Sequence, residues 1–215
     1  VSGSYAFVAD GPSGLAGVDI NNPSSPKLAG RWDSPGESMA IILRENLIYL
    51  ADGSAGLQIV DVKNPIKPVL VGFLDTDGTS EGIAISGNHA FIADGASGLK
   101  VIDISTSSAP RQIASLSASG YAHSVSVDGR FLCAGNLYDG GFQILDVANP
   151  AAPVVLSANK YTMYNEGWRV VLKGNLACVV DYFSGIFFMD ISEPKNPVTA
   201  GVFFTPSSIV AAAVQ

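Results

Sequence analysis

The chain has 215 residues, of which 47% are hydrophobic and only 14% are charged, whereas an average soluble domain has roughly 25% charged residues. This composition indicates a globular chain, and its 23 Gly and 12 Pro residues leave little room for long helices, so we expect an all-β fold. A formal charge of −7 without a basic run argues against a nucleic-acid partner. No apolar stretch approaches the roughly 18 residues of a membrane span, so we expect no membrane insertion.

Five segments share one pattern along the chain. In order they are YAFVADGPSGLAGVDINNPSSP from Tyr5, LIYLADGSAGLQIVDVKNPIKP from Leu47, HAFIADGASGLKVIDISTSSAP from His89, FLCAGNLYDGGFQILDVANPAAP from Phe131 and LACVVDYFSGIFFMDISEPKNP from Leu176. The second Asp of each segment recurs with spacings of 42, 42, 43 and 44 residues, at Asp19, Asp61, Asp103, Asp146 and Asp190. A fixed period of this length is typical of a repeat architecture. We therefore interpret residues 1–215 as a single domain of five repeats.

Each repeat is predicted to form four short antiparallel strands. In the third repeat, GIAI, AFIA, LKVIDI and RQIASL are separated by Gly, Asn and Pro turns, which is typical of a β-propeller blade. The residues before Asp19 and after Asp190 together make up one more period. We therefore expect a five-bladed β-propeller, closed by pairing of the C-terminal strand, Ile209 to Val214, with Tyr5 to Ala9. A β-solenoid and a portion of a larger propeller are the alternatives.

The third predicted strands carry a family resemblance. They read LQIVDV, LKVIDI, FQILDV and IFFMDI, and the first, LAGVDI, is the weakest because Gly17 replaces an apolar residue. These stretches resemble the LVIVD repeat, a family of bacterial and archaeal propeller repeats common in cell-surface proteins. The resemblance covers essentially the whole chain. It implies a propeller that is extracellular, on the cell surface or periplasmic, but it implies no activity.

Candidate ligand-binding residues are the departures from the repeat. By comparison with WD repeats, the loops that enter the innermost strand and those that join the second and third strands open on one face, called here the upper face. The entrance to the innermost strand varies among Met39, Glu81, His123 and Trp168. Aromatic and polar residues cluster in the same loops of blades 4 and 5, which suits a glycan, peptide or protein ligand: Tyr138, Tyr161, Tyr164, Glu166, Trp168, Arg169 and Tyr182. The alternative is that these rings only fill the gap between the two blades.

The repeated acidic residues are interpreted as structural. One series, in the loop after the second strand, can accept backbone N–H bonds across a tight loop: Asp10, Asp52, Asp94, Asn136 and Asp181. The alternative is a ring of Ca²⁺ sites formed by its four Asp residues, although one carboxylate per loop is far short of the usual oxygen count. The second series, which includes Asp61, precedes the turn before the fourth strand and is expected to support it. We expect no cofactor.

An enzyme is the alternative function. Glu81, Glu166 and His123 are its candidate catalytic residues, as channel-mouth groups of a glycosidase or lyase type. No sequence spacing supports this chemistry, and the favoured interpretation is a non-catalytic binding or scaffold module, either a monomer or part of a larger surface protein. Cys133 and Cys178 occupy equivalent apolar positions and are expected to be buried free thiols.

Overall fold

The computed structural model describes residues 1–138, 141–160 and 167–205, and these residues form nineteen strands in five antiparallel sheets. The first sheet has β1 (Tyr5–Ala9), β2 (Leu15–Asp19) and β3 (Lys27–Trp32), and the second has β4 (Ala40–Arg44), β5 (Leu47–Ala51), β6 (Leu57–Asp61) and β7 (Val69–Leu74). The third has β8 (Gly82–Ser86), β9 (His89–Ala93), β10 (Leu99–Asp103) and β11 (Arg111–Leu116). The fourth has β12 (Tyr121–Asp128), β13 (Phe131–Leu137), β14 (Gly141–Asp146) and β15 (Val154–Asn159). The fifth has β16 (Gly167–Lys173), β17 (Leu176–Asp181), β18 (Gly185–Asp190) and β19 (Val198–Phe203).

The five sheets follow the five sequence repeats, and they are called blades 1 to 5 below. Blades 2 to 5 contain the four predicted antiparallel strands, and in each of them the strand order in the sheet is the order in the chain. Blade 1 has three strands within the described residues. The segment expected to complete it, residues 209–214, lies outside those residues.

Packing between blades explains the low content of charge. One core cluster combines Tyr49, Leu57 and Ile59 of blade 2 with Ile83 and Ile92 of blade 3. The third strand of a blade, such as β6, is therefore covered on both faces by neighbouring sheets. A strand covered in this way has a continuous run of apolar residues, whereas a strand with one face in solvent alternates apolar and polar residues. In β6, for example, the first four of five residues are buried.

The second Asp series forms the predicted turns. In all five repeats the Asp Oδ1 accepts a hydrogen bond of 2.7–3.0 Å from the backbone N–H two residues later, at Asp19, Asp61, Asp103, Asp146 and Asp190. In three repeats an Asn three residues after this Asp accepts the same kind of bond from the N–H two residues beyond it, at Asn22, Asn64 and Asn149. These paired Asx turns reverse the chain between the third and fourth strands, so the interpretation of this series as structural is confirmed.

The innermost strands of blades 2 to 5 and strand β1 of blade 1 surround a cavity of about 560 Å³. Residues of all five blades line it, among them Val8 of β1, Ile41 of β4, Ile83 of β8, Val125 of β12 and Arg169 of β16. The cavity therefore occupies the place of the central channel of a propeller.

Cys133 in β13 and Cys178 in β17 are both buried and free, as predicted. Burial raises the pKa of the Cys133 thiol to about 12, and it also raises the pKa of Cys178. Both thiols are therefore protonated and unreactive at neutral pH. In the described parts of the chain no helix has the length and apolar character needed to cross a membrane.

Candidate functional site at the upper face

Backbone bridges between blades define the upper face. In three places, the loop between the second and third strands of one blade pairs with the residue that precedes the entrance position of the next blade: Gly11 with Ser38, Gly53 with Ser80, and Gly95 with Ala122. The two sets of loops predicted to share a face are thus hydrogen-bonded to each other. The residue after each bridge is Met39, Glu81 or His123, so the variable entrance positions lie at equivalent places on this face.

Two β-bulges lie at the entrance residues of blades 4 and 5. The register of β12 against β13 passes from Ala122 opposite Asn136 directly to Ser124, so His123 has no partner across the ladder. The pairing of β16 with β17 skips Trp168 in the same way. A bulge re-aims the side chain of its extra residue. Here the His123 and Trp168 rings lie 4.6 Å apart between centroids, with a tilt of 48°.

The ring contact continues along blade 5. Trp168 lies 5.0 Å from Tyr182, and Tyr182 lies 4.9 Å from Phe183 in an edge-to-face contact. Trp168 and Tyr182 are half-buried, whereas Phe183 is 58% exposed. His123, Trp168, Tyr182 and Phe183 are called the aromatic row below. The structure thus brings together Trp168 and Tyr182, two residues that the sequence predicted for the ligand patch.

The row ends in a polar cluster between blades 3 and 4. Glu81 Oε1 accepts a hydrogen bond of 2.7 Å from the Tyr121 hydroxyl, and Glu81 Oε2 lies 3.7 Å from His123 Nδ1. The Glu81 side chain is only 10% exposed. Tyr121 also contacts Tyr138 edge-on, with centroids 5.6 Å apart. The candidate site near blades 4 and 5 therefore continues to Glu81 of blade 3.

Sequence reasoning missed Tyr121. Its ring lies against Gly95, where an added Cβ would approach the Tyr121 Cζ to 2.8 Å. The available signal was its position, since Tyr121 precedes the bridging residue Ala122, where blades 2 and 3 have Glu37 and Thr79. An aromatic residue at that position departs from the repeat as clearly as His123 does.

The surroundings shift the pKa values of two side chains in the polar cluster, His123 and Tyr121. Burial lowers the pKa of His123, the nearby Glu81 opposes this shift, and the Arg169 charge adds to it. Burial and the hydrogen bond to Glu81 raise the pKa of Tyr121 to about 12. At neutral pH the His123 imidazole is therefore neutral and the Tyr121 phenol is protonated.

Arg169 is exposed and lines the central cavity. In the other blades with a described innermost strand, the equivalent residues are small: Ala40, Gly82 and Ser124. Within the part of the chain that the structure describes, the Arg169 side chain has no hydrogen bond or ion pair. The remaining cavity-lining residues are apolar or carry a hydroxyl.

Three residues of the predicted ligand patch, Tyr161, Tyr164 and Glu166, lie outside the described residues. Tyr138 lies at the edge of the site, 72% exposed, with a backbone φ of 58°. Of the candidate catalytic set, Glu81 and His123 are therefore brought together by the structure, and the position of Glu166 relative to them is not described.

The members of the first Asp series have different hydrogen-bond partners. Asp181 accepts bonds from the N–H groups of Phe183 and Ser184 across a tight loop, as predicted. For Asp52 the expectation is corrected, because it reaches the crossing segment before β4 and accepts from Gly36 N and Ser38 Oγ at 2.9 Å each.

Asp94 repeats the Asp52 arrangement with Thr76 and Ser80, and the same correction applies to it. Asp10 instead forms an ion pair of 2.7 Å with Arg31. Among residues 1–138, 141–160 and 167–205, no group of three or more His, Cys, Asp or Glu is arranged to hold a metal ion. Each of the four Asp carboxylates proposed as a Ca²⁺ alternative accepts at least one hydrogen bond or ion pair from a protein donor.

Comparison with known families decides what the repeat is. A model described as the LVIVD repeat matches residues 1–34, 35–76, 77–116, 119–159 and 166–205. The chain belongs to the LVIVD-repeat family. A comparison with curated protein sequences finds no match for this LVIVD-repeat chain.

Solved structures are similar in fold. The computationally designed Ika8 protein matches all of the LVIVD-repeat chain with a TM-score of 0.75 at 13% identity. The Cps50 (Swd1) β-propeller domain of Myceliophteria thermophila covers 95% of it with a TM-score of 0.72 at 15% identity. A putative 6-phosphogluconolactonase of Bacteroides uniformis covers 94% with a TM-score of 0.74 at 11% identity. The LVIVD-repeat chain spans 64%, 71% and 68% of these three chains, respectively. At such low identity the likeness establishes the propeller fold alone.

Proposed function

We propose that this LVIVD-repeat chain is a non-catalytic binding module, located outside the cytoplasm, whose ligand is a glycan bound along the aromatic row. The observation that carries the proposal is the continuous ring contact from His123 through Trp168 and Tyr182 to Phe183. Aromatic faces offer apolar area to the C–H faces of a sugar ring. The Glu81 and Tyr121 oxygens at the end of the row supply hydrogen-bonding groups. A peptide or protein ligand is the alternative outcome.

Exposure argues against a role as filler alone. A plug between blades would be covered by its neighbours, but Phe183 is 58% exposed and Trp168 and Tyr182 are only half-buried. Single exposed apolar residues are ordinary, whereas a contiguous row beside a polar cluster is typical of a binding surface. The bulges at His123 and Trp168 add to this argument, because bulges are frequent beside functional sites.

A second candidate function depends on the Glu81–His123 contact. A buried carboxylate 3.7 Å from a neutral imidazole is suited to proton transfer in a glycosidase- or lyase-type reaction. A glycan panel assayed for bond cleavage distinguishes the two functions. If the chain is an enzyme, the wild-type chain would cleave a glycan and Glu81→Gln would abolish this turnover. If the chain is a binding module, neither the wild-type chain nor the variant would cleave any glycan.

We propose further that the ring closes within one chain. In blades 2 to 5 the strand equivalent to β1 pairs with an innermost strand on one side, and in blade 1 that side has no partner among the described residues. The C-terminal residues from Ile209 to Val214 complete the repeat period and are proposed as that partner. Val8→Cys, combined in turn with Val210→Cys, Ala211→Cys and Ala212→Cys, would form an intramolecular disulfide in one pair. Leu50→Cys with the same partners is the matched control, and a disulfide only between molecules would contradict closure.

The binding proposal is tested on a glycan array followed by titration of the best ligand. Trp168→Ala would weaken binding by more than about tenfold, because a central aromatic contact contributes most of the affinity of such a surface. Phe73→Ala removes a ring that is 62% exposed on β7, an outermost strand, and would leave affinity unchanged. Equal affinity of the Trp168→Ala variant, or the absence of any bound glycan, would refute the proposal.

A further inference from the structure

We infer that the glycan of the proposed function carries a carboxylate, and that Arg169 binds this carboxylate at the mouth of the central cavity. The inference rests on the proposed function and specifies its ligand class as an acidic saccharide. Neither the packing of the blades nor the aromatic row requires an arginine at position 169.

Arg169 is a departure from the repeat at a position that otherwise holds small side chains. Ala40, Gly82 and Ser124 are its equivalents in blades 2, 3 and 4. Gly82 illustrates why: a Cβ there would lie 2.9 Å from the His123 carbonyl oxygen of the next blade. In blade 5 the same position carries the longest of the basic side chains, and that side chain is exposed to the cavity. Blade packing therefore does not explain the presence of arginine.

The described residues that line the cavity offer the Arg169 guanidinium no counter-charge. Arg169 is the one charged residue among those described that line it, and Ser124 and Ser126 are the only side chains there with a hydroxyl. Neither hydroxyl is fully available, since Ser126 Oγ already accepts the Leu172 N–H at 3.0 Å. A planar guanidinium pairs with a carboxylate through two parallel hydrogen bonds. A carboxylate of the ligand would therefore be a suitable partner for the Arg169 guanidinium.

Arg169 is next to the aromatic row. It follows Trp168 directly in β16, and its charge lowers the pKa of His123. A sugar ring stacked on Trp168 and Tyr182 therefore has the cavity mouth, and Arg169 with it, at its edge. Stacking would hold the ring, and the guanidinium would select a ring that bears a carboxylate.

The charge of the whole chain limits how acidic the ligand is. A net charge of −7 repels polyanions at long range, whereas a single arginine without an ion-pair partner among the described residues attracts one anionic group at short range. The inference therefore specifies a glycan with one terminal uronic-acid-type residue and not a polysaccharide with an acid on every unit. Sulfated sugars offer an anion of different geometry and form a separate arm of the test.

The test uses sets of oligosaccharides that differ only at the terminal residue: glucuronic acid, glucose, or 6-sulfated glucose. The wild-type chain is expected to bind the glucuronic acid form at least about tenfold more tightly than the glucose form, as expected for a charge-assisted hydrogen-bonded pair. Arg169→Gln would remove this difference while retaining binding of the glucose form. Arg169→Lys would keep part of the preference, because it keeps the charge but loses the planar geometry.

Arg130→Gln is the matched control. Arg130 pairs with Asp146 at the hairpin between β12 and β13, at the opposite end of β12 from the upper face, and its removal changes the net charge equally. Equal binding of acid and neutral sugars by the wild-type chain would overturn the inference while leaving the proposed function intact, and preference for the sulfated sugar would overturn its assignment to a carboxylate. Loss of the preference in Arg130→Gln would also overturn it. Failure to bind any of the three sugars or any array glycan would refute both proposals.

Discussion

The hydroxyl of Tyr121 donates a hydrogen bond of 2.7 Å to Glu81 Oε1 and so connects blade 4 to blade 3 at the upper face. The two residues are forty positions apart in the chain. They meet because Tyr121 directly precedes the bridge to Gly95, which lies in the loop of blade 3. A contact between adjacent repeats thereby positions the carboxylate that faces His123.

This bond makes alkaline stability depend on Tyr121. Burial and the bond to Glu81 raise the pKa of Tyr121 to about 12 in the folded chain, above the value of about 10 for an unfolded chain. The folded state therefore favours the protonated phenol, and its contribution is complete below pH about 10 and lost as pH rises to about 12. We expect Tyr121→Phe to lose less stability than the wild type between those values. Urea unfolding at a series of alkaline pH values measures the difference, and parallel curves would contradict it.

The pKa of His123 reports its two charged neighbours. Glu81 raises this pKa and Arg169 lowers it, against a background of burial that lowers it. Glu81→Gln is therefore expected to lower the pKa of His123 further, and Arg169→Gln to raise it. NMR titration of the imidazole protons resolves the site, because the chain has only two histidines and His89→Gln assigns the other. If Glu81→Gln and Arg169→Gln moved the pKa of His123 in the same direction, the placement of His123 between these two side chains would be wrong.

His123 also makes the free energy of unfolding depend on pH in the acid range. Because the folded pKa of His123 lies below the unfolded value, the neutral ring stabilises the fold above pH about 6.5, and this contribution is lost as pH falls through the folded pKa. His123→Phe would remove this part of the pH dependence. The free energy of unfolding, measured from pH 7.5 downwards, is the readout, and an acid slope unchanged by His123→Phe would contradict the prediction.

Gly95 allows the Tyr121 ring to approach the backbone. Its φ is +58°, and an added Cβ would meet the Tyr121 ring at 2.8 Å. Gly87 has nearly the same φ, +54°, with nothing within 4 Å of the added atom. Gly87→Ala is thus expected to cost about 1 kcal/mol for the backbone alone, and Gly95→Ala to cost more because it also displaces Tyr121 from Glu81. Equal costs in urea unfolding would show that the ring contact contributes nothing.

The fold could be predicted because each repeat encodes its own blade. The apolar third strand and the turn residues lie within a single repeat, and the nearly constant spacing of Asp61 from its equivalents shows that the same unit occurs five times. The site was predicted only in part. Trp168 and Tyr182 were found as departures from the repeat, but the bulges that re-aim His123 and Trp168 arise from pairing with β13 and β17, which the sequences of β12 and β16 do not specify.

The charged pair of blade 3 offers a test of how the blades tolerate buried charge. Lys100 is buried in β10 and donates to Asp77 Oδ2 and Ser115 Oγ at 3.1 Å each, with Asp94 Oδ2 at 4.0 Å. Blade 4 has the neutral residues Asn136 and Gln143 at the positions of Asp94 and Lys100, and their amides lie 3.4 Å apart. The double variant Asp94→Asn/Lys100→Gln therefore copies a pair that this fold already contains.

Lys100→Gln alone should cost about 3 kcal/mol of folding free energy at pH 7, because it leaves a buried carboxylate without its cation. Burial already raises the pKa of Asp94, and Lys100 is among the groups that oppose this shift. Without Lys100 the folded pKa of Asp94 rises further, so protonation stabilises the folded variant and the cost should shrink as pH falls from 7 to 4.5. The double variant should cost less than Lys100→Gln alone at pH 7. Urea unfolding of the two single variants and the double variant at both pH values measures the coupling, and additive, pH-independent costs would show that Asp94 and Lys100 do not interact.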